Sequence, residues 1–135
     1  MLSKVYVVDD DEMSLYITRF VVILYAPRCV CVCFDDAQQA LDVLTEDIRE
    51  NSLPDLVLLD LNMPVMSGFD FLNALAPVAS KIAAQGCKIC ILTSSVDEQD
   101  KLRSLDSNLV LDLIHKPLTK ERLEEVSHAL SKRKA

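Results

Sequence analysis

Three aspartates, Asp9, Asp10 and Asp60, stand at the ends of apolar segments and could together bind a metal ion. Asp9, Asp10 and Asp11 directly follow the segment KVYVV, and Asp60 closes the segment DLVLLD. Carboxylates held within a few ångströms of one another repel by about 4 kcal/mol per close pair at a partly buried dielectric constant. A divalent cation offsets this repulsion, and magnesium favours one or two carboxylates together with water and phosphate oxygens. If the fold brings these aspartates together, they predict a magnesium site.

A hydroxyl and an amine occupy matching positions at the ends of two further apolar segments. Thr93 ends KICILT, and Lys116 directly follows LVLDLIH. Phosphoryl transfer needs positive charge around the transferring oxygens, and a metal ion with a nearby ammonium group provides it. These residue types therefore indicate a site for phosphoryl chemistry.

The small number of glycines restricts how a phosphate could be bound. The chain contains only Gly68 and Gly86, so it has neither a P-loop nor a dinucleotide-binding fingerprint. A phosphoryl group at this site is therefore expected to be attached to the protein itself. A carboxylate can accept it as an acyl phosphate, and Asp60 is the candidate acceptor.

Apolar segments alternate with helix-like segments along the whole chain, which predicts five strands and five helices. Strands that are apolar throughout are covered on both faces, and helical connections make neighbouring strands parallel. The sequence thus predicts a doubly wound α/β fold whose ligand site lies beyond the carboxyl ends of the strands. The predicted strands are KVYVV (4–8), CVCVCF (29–34), DLVLLD (55–60), KICILT (88–93) and LVLDLIH (109–115).

Helix starts are marked by residues that cap free backbone N–H groups. Asp36 with Gln39, and Ser95 with Glu98, have the spacing of a capping box and predict the starts of the second and fourth helices. Thr119 is the predicted N-cap of the last helix.

The length, net charge and hydropathy of the chain limit the classes of protein to which it can belong. With 135 residues the chain has the size of one domain, residues 1–135. A formal net charge of −7 argues against general nucleic-acid binding, which needs a basic surface. No apolar segment reaches the roughly 20 residues of a membrane span, and no secretory signal is recognisable. We therefore expect a cytoplasmic protein with no membrane contact.

The five cysteines allow a metal interpretation and a structural one. Cys87 and Cys90 have a spacing that occurs in zinc sites. In a strand, however, residues three apart point to opposite faces, whereas Cys29, Cys31 and Cys33 point to one face. The spacing favours small buried side chains over a metal site.

Four motifs together resemble the receiver domain of two-component response regulators. They are VVDDDE (7–12), LLDLNMPVMSGFD (58–70), ILTSS (91–95) and HKPLT (115–119). They occur in order after the expected strands, and the resemblance covers essentially the whole chain. It implies a flavodoxin-like sheet with strand order 2-1-3-4-5.

The resemblance also implies roles for the acidic residues. Asp60 matches the phosphorylated aspartate, and Asp9 and Asp10 match the acidic pair that binds Mg²⁺ together with it. Asn62 matches the residue whose backbone carbonyl completes the protein ligands. Asp11 is left over, either as a charge at the helix start or as an outer acid.

The remaining matches concern the phosphoryl group and the turns. Thr93 and Lys116 match the hydroxyl and the ammonium group that contact the phosphoryl group. Pro64 and Gly68 match turn residues after the acceptor. Pro117 matches a proline that follows a cis peptide bond.

Leu113 departs from the family pattern, because an aromatic residue usually lies three positions before the lysine. The resemblance implies that the protein accepts a phosphoryl group from a sensor histidine kinase or a phosphotransfer protein and slowly hydrolyses it. The phosphorylated form would present a changed surface, around the fourth helix and fifth strand, to a downstream target protein. With Leu113, the surface change is expected to proceed without a ring rotation.

Two other functions remain open from the sequence. A phosphatase or phosphotransferase of the aspartate-nucleophile type would need a second acid two residues after Asp60, where Asn62 stands. A binding module that works without phosphorylation is the other alternative.

The first helix is more apolar than one buried face requires. We expect its surplus face to contact a partner or a second copy, which makes a homodimer an open alternative. The apolar residues concerned are Leu15, Ile17, Phe20, Val21, Val22, Ile23 and Leu24.

Overall fold

A five-stranded parallel sheet forms the centre of the molecule. The computed structural model describes residues 2–95 and 97–134. The strands lie in the order β2-β1-β3-β4-β5, so the predicted doubly wound sheet with order 2-1-3-4-5 is confirmed. The strands are β1 (Lys4–Val8), β2 (Val30–Phe34), β3 (Leu56–Leu59), β4 (Lys88–Thr93) and β5 (Val110–His115).

The five predicted helical segments are present, and the third consists of two short helices. A 3₁₀ turn, Ala76–Val78, separates these two helices. Pro77 lies in this turn and has no N–H group to continue the helical hydrogen bonds. No helix within the described residues is long and apolar enough to cross a membrane. The helices are α1 (Glu12–Tyr25), α2 (Ala37–Glu50), α3 (Gly68–Leu75), α4 (Ala79–Ala84), α5 (Glu98–Leu105) and α6 (Lys120–Lys134).

Each face of the sheet carries its own apolar core, because successive strand residues point to opposite faces. Val8 and Leu59 pack in a cluster that includes residues of α2, α3 and α4. Val7 and Leu58 belong to a second cluster, which contains Val22 of α1 and residues of α6. The carboxyl ends of the strands are thus held at one edge between two layers of helices.

The cysteines have the structural placement that their spacing predicts. Cys29 is buried in the cluster under α1 and α6, and the half-buried Cys31 and Cys33 pack against the same cluster. Cys90 belongs to this cluster, whereas Cys87 lies in the cluster on the opposite face. All five are free thiols.

Two of the predicted helix starts are confirmed. The Asp36 carboxylate accepts hydrogen bonds from the backbone N–H groups of Gln38 and Gln39 at the start of α2. Thr119 Oγ1 accepts a hydrogen bond from the backbone N–H of Arg122, 3.2 Å away, at the start of α6.

The predicted start of the fourth helical segment at Ser95 is wrong. Helix α5 begins at Glu98, and its N-cap is Asp97, whose carboxylate accepts a hydrogen bond from the N–H of Gln99. Ser95 lies outside the helix, where its hydroxyl donates to the carboxylate of Asp100 at 3.1 Å. Asp97 stands directly before the helix, so it has the shorter reach to the free N–H groups of the first turn.

Candidate functional site

Three aspartates converge at the carboxyl edge of the sheet. Strands β1 and β3 are neighbours, with Val8 paired to Leu59, so the next residues on each strand, Asp9 and Asp60, lie side by side. One carboxylate oxygen from each of Asp9, Asp10 and Asp60 lies within 4.8 Å of the others. The acidic cluster that the sequence predicted is therefore present.

The backbone holds two of these aspartates in fixed positions. The N–H of Asp9 donates to the carbonyl of Phe34 at 3.0 Å, and the N–H of Asp60 donates to the carbonyl of Val8 at 3.0 Å. These bonds continue the sheet ladder one residue beyond the strands. The exposed fractions are 2% for Asp9 and 6% for Asp60, whereas Asp10 is exposed. Two carboxylates of the cluster are thus buried, and the third is open to solvent.

Lys116 inserts its ammonium group among the carboxylates. Its Nζ donates to Asp9 Oδ2 at 2.6 Å and lies 3.5 Å from Asp60 Oδ1. Its backbone N–H donates to the carbonyl of Thr93 at 2.8 Å, and its peptide bond to Pro117 is cis, as the resemblance implies. The loop after β5 therefore positions Lys116 against the ends of β1 and β3.

Burial and the charges in the cluster shift the pKa values of Asp60 and Lys116. Burial raises the pKa of Asp60 above its ordinary 3.8, and repulsion from Asp9 raises it further, against the opposing effects of Lys116 and the backbone N–H of Asn62. Burial would lower the pKa of Lys116, but hydrogen bonds and attraction from Asp9 and Asp60 outweigh it and raise this pKa above 10.5. The charge of ionised Asp60 is thus only partly compensated by Lys116.

The donor set fits a hard divalent cation. Three carboxylates and one ammonium group carry a net charge of −2, and carboxylate oxygens are the ligands that Mg²⁺ prefers. Both oxygens of Asp9 already accept a hydrogen bond, from Lys116 and from the N–H of Asp11 at 2.9 Å. The exposed carboxylate of Asp10 is the one most open to an ion.

Asp11 belongs to the helix and not to the cluster. Its Oδ1 accepts a hydrogen bond from the N–H of Met13 at 3.0 Å, and it is the N-cap of α1. The predicted role of Asp11 at the helix start is therefore confirmed.

The loop after Asp60 passes very close to the acceptor's own backbone. The N–H of Gly68 donates to the carbonyl of Leu61 at 2.8 Å. A Cβ at Gly68 would lie 2.6 Å from the carbonyl oxygen of Asp60 and 2.8 Å from the Cα of Leu61. Only glycine fits there without moving the backbone. Asn62 and Pro64 lie exposed within this loop, and metal binding by the Asn62 carbonyl stays a prediction.

Sequence reasoning missed a capping box that closes this loop. Ser67 Oγ accepts a hydrogen bond from the N–H of Asp70, and the Asp70 carboxylate accepts one from the N–H of Ser67. The four letters SGFD at residues 67–70 carry the capping-box spacing, so the signal was present in the sequence.

Thr93 ends β4, where its carbonyl accepts a hydrogen bond from the N–H of Lys116, and Leu113 lies within β5. Thr93 is fully buried, and its Oγ1 accepts a hydrogen bond from the N–H of Ser95 at 3.0 Å. Leu113 pairs with Ile91 across the sheet and packs half-buried against the core under α2 and α3. Contact between the Thr93 hydroxyl and a phosphoryl group stays a prediction.

Comparison with known proteins gives the same family from sequence and the same fold from structure. A family profile described as response regulator receiver domain matches residues 5–128. The DNA-binding response regulator MtrA of Mycobacterium tuberculosis is 32% identical over 123 residues, which cover 91% of this chain and 48% of that protein. Hybrid signal transduction histidine kinase L of Dictyostelium discoideum is 25% identical over 126 residues, which cover 93% of this chain and 7% of that protein.

This chain therefore spans about half, or less, of the length of these curated relatives. A crystal structure of a two component response regulator from Cytophaga hutchinsonii superposes with a TM-score of 0.85 at 21% identity, covering 97% of this chain and 98% of that chain. This likeness shows the fold. The profile match includes the acidic cluster and Lys116, and the chain belongs to the response regulator receiver domain family.

Proposed function

We propose that residues 1–135 act as one Mg²⁺-dependent phosphoacceptor domain in which Asp60 becomes phosphorylated. The convergence of Asp9, Asp10 and Asp60 within 4.8 Å, with Lys116 beside them, is the observation that carries this proposal. The donor is a phosphohistidine on a sensor histidine kinase or a phosphotransfer protein. Asp9, Asp10, Asp60 and the backbone carbonyl of Asn62 would hold the ion.

The transfer itself is a displacement at phosphorus. A carboxylate oxygen of Asp60 forms the new P–O bond while the P–N bond of the donor breaks, and the leaving imidazole keeps the electron pair and takes up a proton. Mg²⁺, when bound, neutralises charge on the transferring oxygens. Lys116 supplies a second positive charge at the same place, since its Nζ lies 3.5 Å from Asp60 Oδ1.

The change at Asp60 is passed to the surface through Thr93. The Thr93 hydroxyl now accepts a hydrogen bond from the N–H of Ser95. Turning that hydroxyl towards a phosphoryl group would break this bond and release the segment before α5. A downstream target protein would read the altered surface of α5 and β5. Leu113 contributes no ring rotation to this switch.

A switch fits this site better than an enzyme with turnover. Asn62 stands where an aspartate-based phosphatase or phosphotransferase would carry its second acid, and it lies exposed. Slow hydrolysis of the acyl phosphate by water would return the domain to its resting state. A cytoplasmic location belongs to the proposal, since kinase donors and free thiols are both usual there.

Phosphorylation by a small donor tests the proposal directly. The protein is incubated with acetyl phosphate in Mg²⁺ or in EDTA, and the intact mass is measured. We expect one phosphoryl group per chain in Mg²⁺, none in EDTA and none on the Asp60→Asn variant. Equal uptake by wild type and Asp60→Asn would contradict the assignment of the acceptor, and equal uptake in EDTA would contradict the need for the metal.

A further inference from the structure

Helix α1 has a second apolar face that points away from the core. Its inner face carries Thr18 and Val22, which are buried. Four apolar residues lie on the other side with large exposed fractions, and we call them the outer stripe. They are Met13 (64%), Ile17 (41%), Phe20 (59%) and Leu24 (57%).

The spacing of the outer stripe is that of a coiled-coil seam. Successive members are four, three and four residues apart, which is the alternation of d and a positions in a heptad. At 100° per residue, the four side chains lie within about 60° of one another around the helix. So narrow a stripe fits a second helix better than it fits a broad, flat surface.

The outer stripe is symmetric about its own centre, between Thr18 and Arg19. Met13 and Leu24 lie equally far from this point, and so do Ile17 and Phe20. If a second copy of α1 packs antiparallel, Met13 of one copy faces Leu24 of the other, and Ile17 faces Phe20. Each d position then meets an a position, and the contact closes as a two-fold dimer.

Charge favours the antiparallel over the parallel orientation. The start of α1 is acidic, with Asp10, Asp11 and Glu12 all exposed, and Arg28 stands exposed just after its end. No ion pair of Arg28 occurs within the described residues. A parallel pair would bring two acidic ends together, whereas an antiparallel pair brings Arg28 of each copy near the acidic end of the other. The helix dipoles favour the same orientation.

We propose that two copies of this chain form an antiparallel, two-fold symmetric dimer through the outer stripe of α1. In this dimer the outer stripes of both copies are withdrawn from water, which is the main driving force. The exposed side chain of Tyr16 borders the stripe and enlarges the apolar contact. The interface is small, so the dimer is weak and depends on protein concentration.

Sedimentation equilibrium tests the dimer and its location. Wild type is expected to shift from monomer to dimer over a range of about a hundredfold in concentration. Phe20→Glu places two carboxylates at the centre of the seam and weakens the dimer by at least about tenfold. Leu102→Glu is the matched control, since Leu102 of α5 is 63% exposed and the change in net charge is the same. Circular dichroism of both variants verifies that the fold is retained.

Mixing two variants tests the orientation. Met13→Lys and Leu24→Glu each disturb the seam of their own homodimer. In an antiparallel heterodimer, the new lysine faces the new glutamate while the other outer pair stays apolar, so the mixture is expected to associate more strongly than either variant alone. Mixing Met13→Lys with Met13→Glu is the matched comparison, because those two charges face each other only in a parallel dimer. Stronger recovery in that mixture than in the mixture of Met13→Lys with Leu24→Glu would overturn the proposed orientation.

Three results would overturn the proposal as a whole. The first is a wild type that stays monomeric at every concentration, and the second is equal weakening by Phe20→Glu and Leu102→Glu. The third result concerns a protein that stays monomeric: Phe20→Glu abolishes transfer from a phosphohistidine donor but leaves uptake from acetyl phosphate intact. The outer stripe would then be the surface that binds a donor protein. Phosphorylation of Asp60 is scored separately by mass, so failure of the dimer and failure of the phosphoacceptor role are distinguishable.

Discussion

Asp60 is held in an environment that disfavours its own charge. Its carboxylate is buried beside Asp9, and both effects raise its pKa, while Lys116 only partly offsets them. The ion pair between Lys116 and Asp9, at 2.6 Å, is shorter than the 3.5 Å contact between Lys116 and Asp60. The lysine therefore mainly neutralises Asp9, and a bound cation would stabilise the charge of Asp60.

Removing the charge of Asp60 is expected to stabilise the metal-free protein. A raised pKa means that the folded state binds the proton of Asp60 more tightly than the unfolded state does. Protonated Asp60 therefore stabilises the fold at low pH, and this contribution is lost as the pH rises through the folded-state pKa. In EDTA at pH 7, the Asp60→Asn variant should unfold at a higher urea concentration than wild type, and its free energy of unfolding should be larger by about 1 kcal/mol. The gain should shrink as the pH falls towards 3.8, the ordinary pKa of aspartate.

The control for this prediction is Glu124→Gln, which neutralises an exposed carboxylate on α6. That change should alter the free energy of unfolding by less than about 0.5 kcal/mol. An Asp60→Asn variant that is less stable than wild type in EDTA at pH 7 would refute the prediction.

Magnesium is expected to stabilise the wild type through the same cluster. An ion that binds only the folded state, and whose concentration is about 100 times its dissociation constant, adds about 2.7 kcal/mol to the free energy of unfolding. Asp10→Asn removes the most exposed carboxylate of the cluster and should reduce this gain, measured as the difference between melts in Mg²⁺ and in EDTA. An equal gain in wild type and variant would exclude Asp10 as a ligand.

At the scale of elements, the site depends on how closely the loop after β3 folds back on itself. The capping box of Ser67 and Asp70 starts α3, and the N–H of Gly68 binds the carbonyl of Leu61. Hydrogen bonds thus hold the loop between Leu61 and Gly68 at both ends, and Gly68 lies against the backbone of Asp60.

Gly68→Ala is expected to damage both stability and phosphorylation. Its Cβ would lie 2.6 Å from the carbonyl oxygen of Asp60, so the backbone must move, at a cost of about 2 kcal/mol. Uptake from acetyl phosphate should slow as the acceptor shifts. Gly86→Ala is the contrasting variant: Gly86 has a φ of 80°, so alanine is strained there, yet uptake should stay normal. Equal uptake rates in Gly68→Ala and wild type would show that the loop position is unimportant for the acceptor.

At the scale of the whole molecule, the sheet connects the acidic edge to the surface of α5. Thr93 ends β4, its hydroxyl binds the N–H of Ser95, and its carbonyl binds the N–H of Lys116. Thr93 therefore contacts both loops that flank the cluster. A displacement of its hydroxyl would reach α5 through the backbone.

Phosphorylation is expected to increase amide hydrogen exchange in α5, because the hydrogen bond between Thr93 and Ser95 is lost. The measurement compares the protein with and without acetyl phosphate in Mg²⁺. Thr93→Ala should still take up the phosphoryl group, and the increase in α5 should be smaller. An equal increase in the variant would show that the signal bypasses the hydroxyl.

The sequence by itself determined the elements and the chemistry at their ends. Apolar runs that end in aspartate, threonine and lysine are properties of neighbouring residues, so they are legible without the fold. The caps at Asp36 and Thr119 were predictable for the same reason, since each acts within one helical turn. The break of the third helical segment at Pro77 is also local, although it was not predicted.

Only the tertiary structure decided how distant residues meet. Lys116 approaches Asp9 across 107 positions of sequence, and Gly68 lies against the backbone of Asp60 because the loop folds back between them. The direction in which the outer stripe of α1 faces also followed from packing. Such contacts depend on the placement of whole elements around two cores, and no local pattern in the chain encodes that placement.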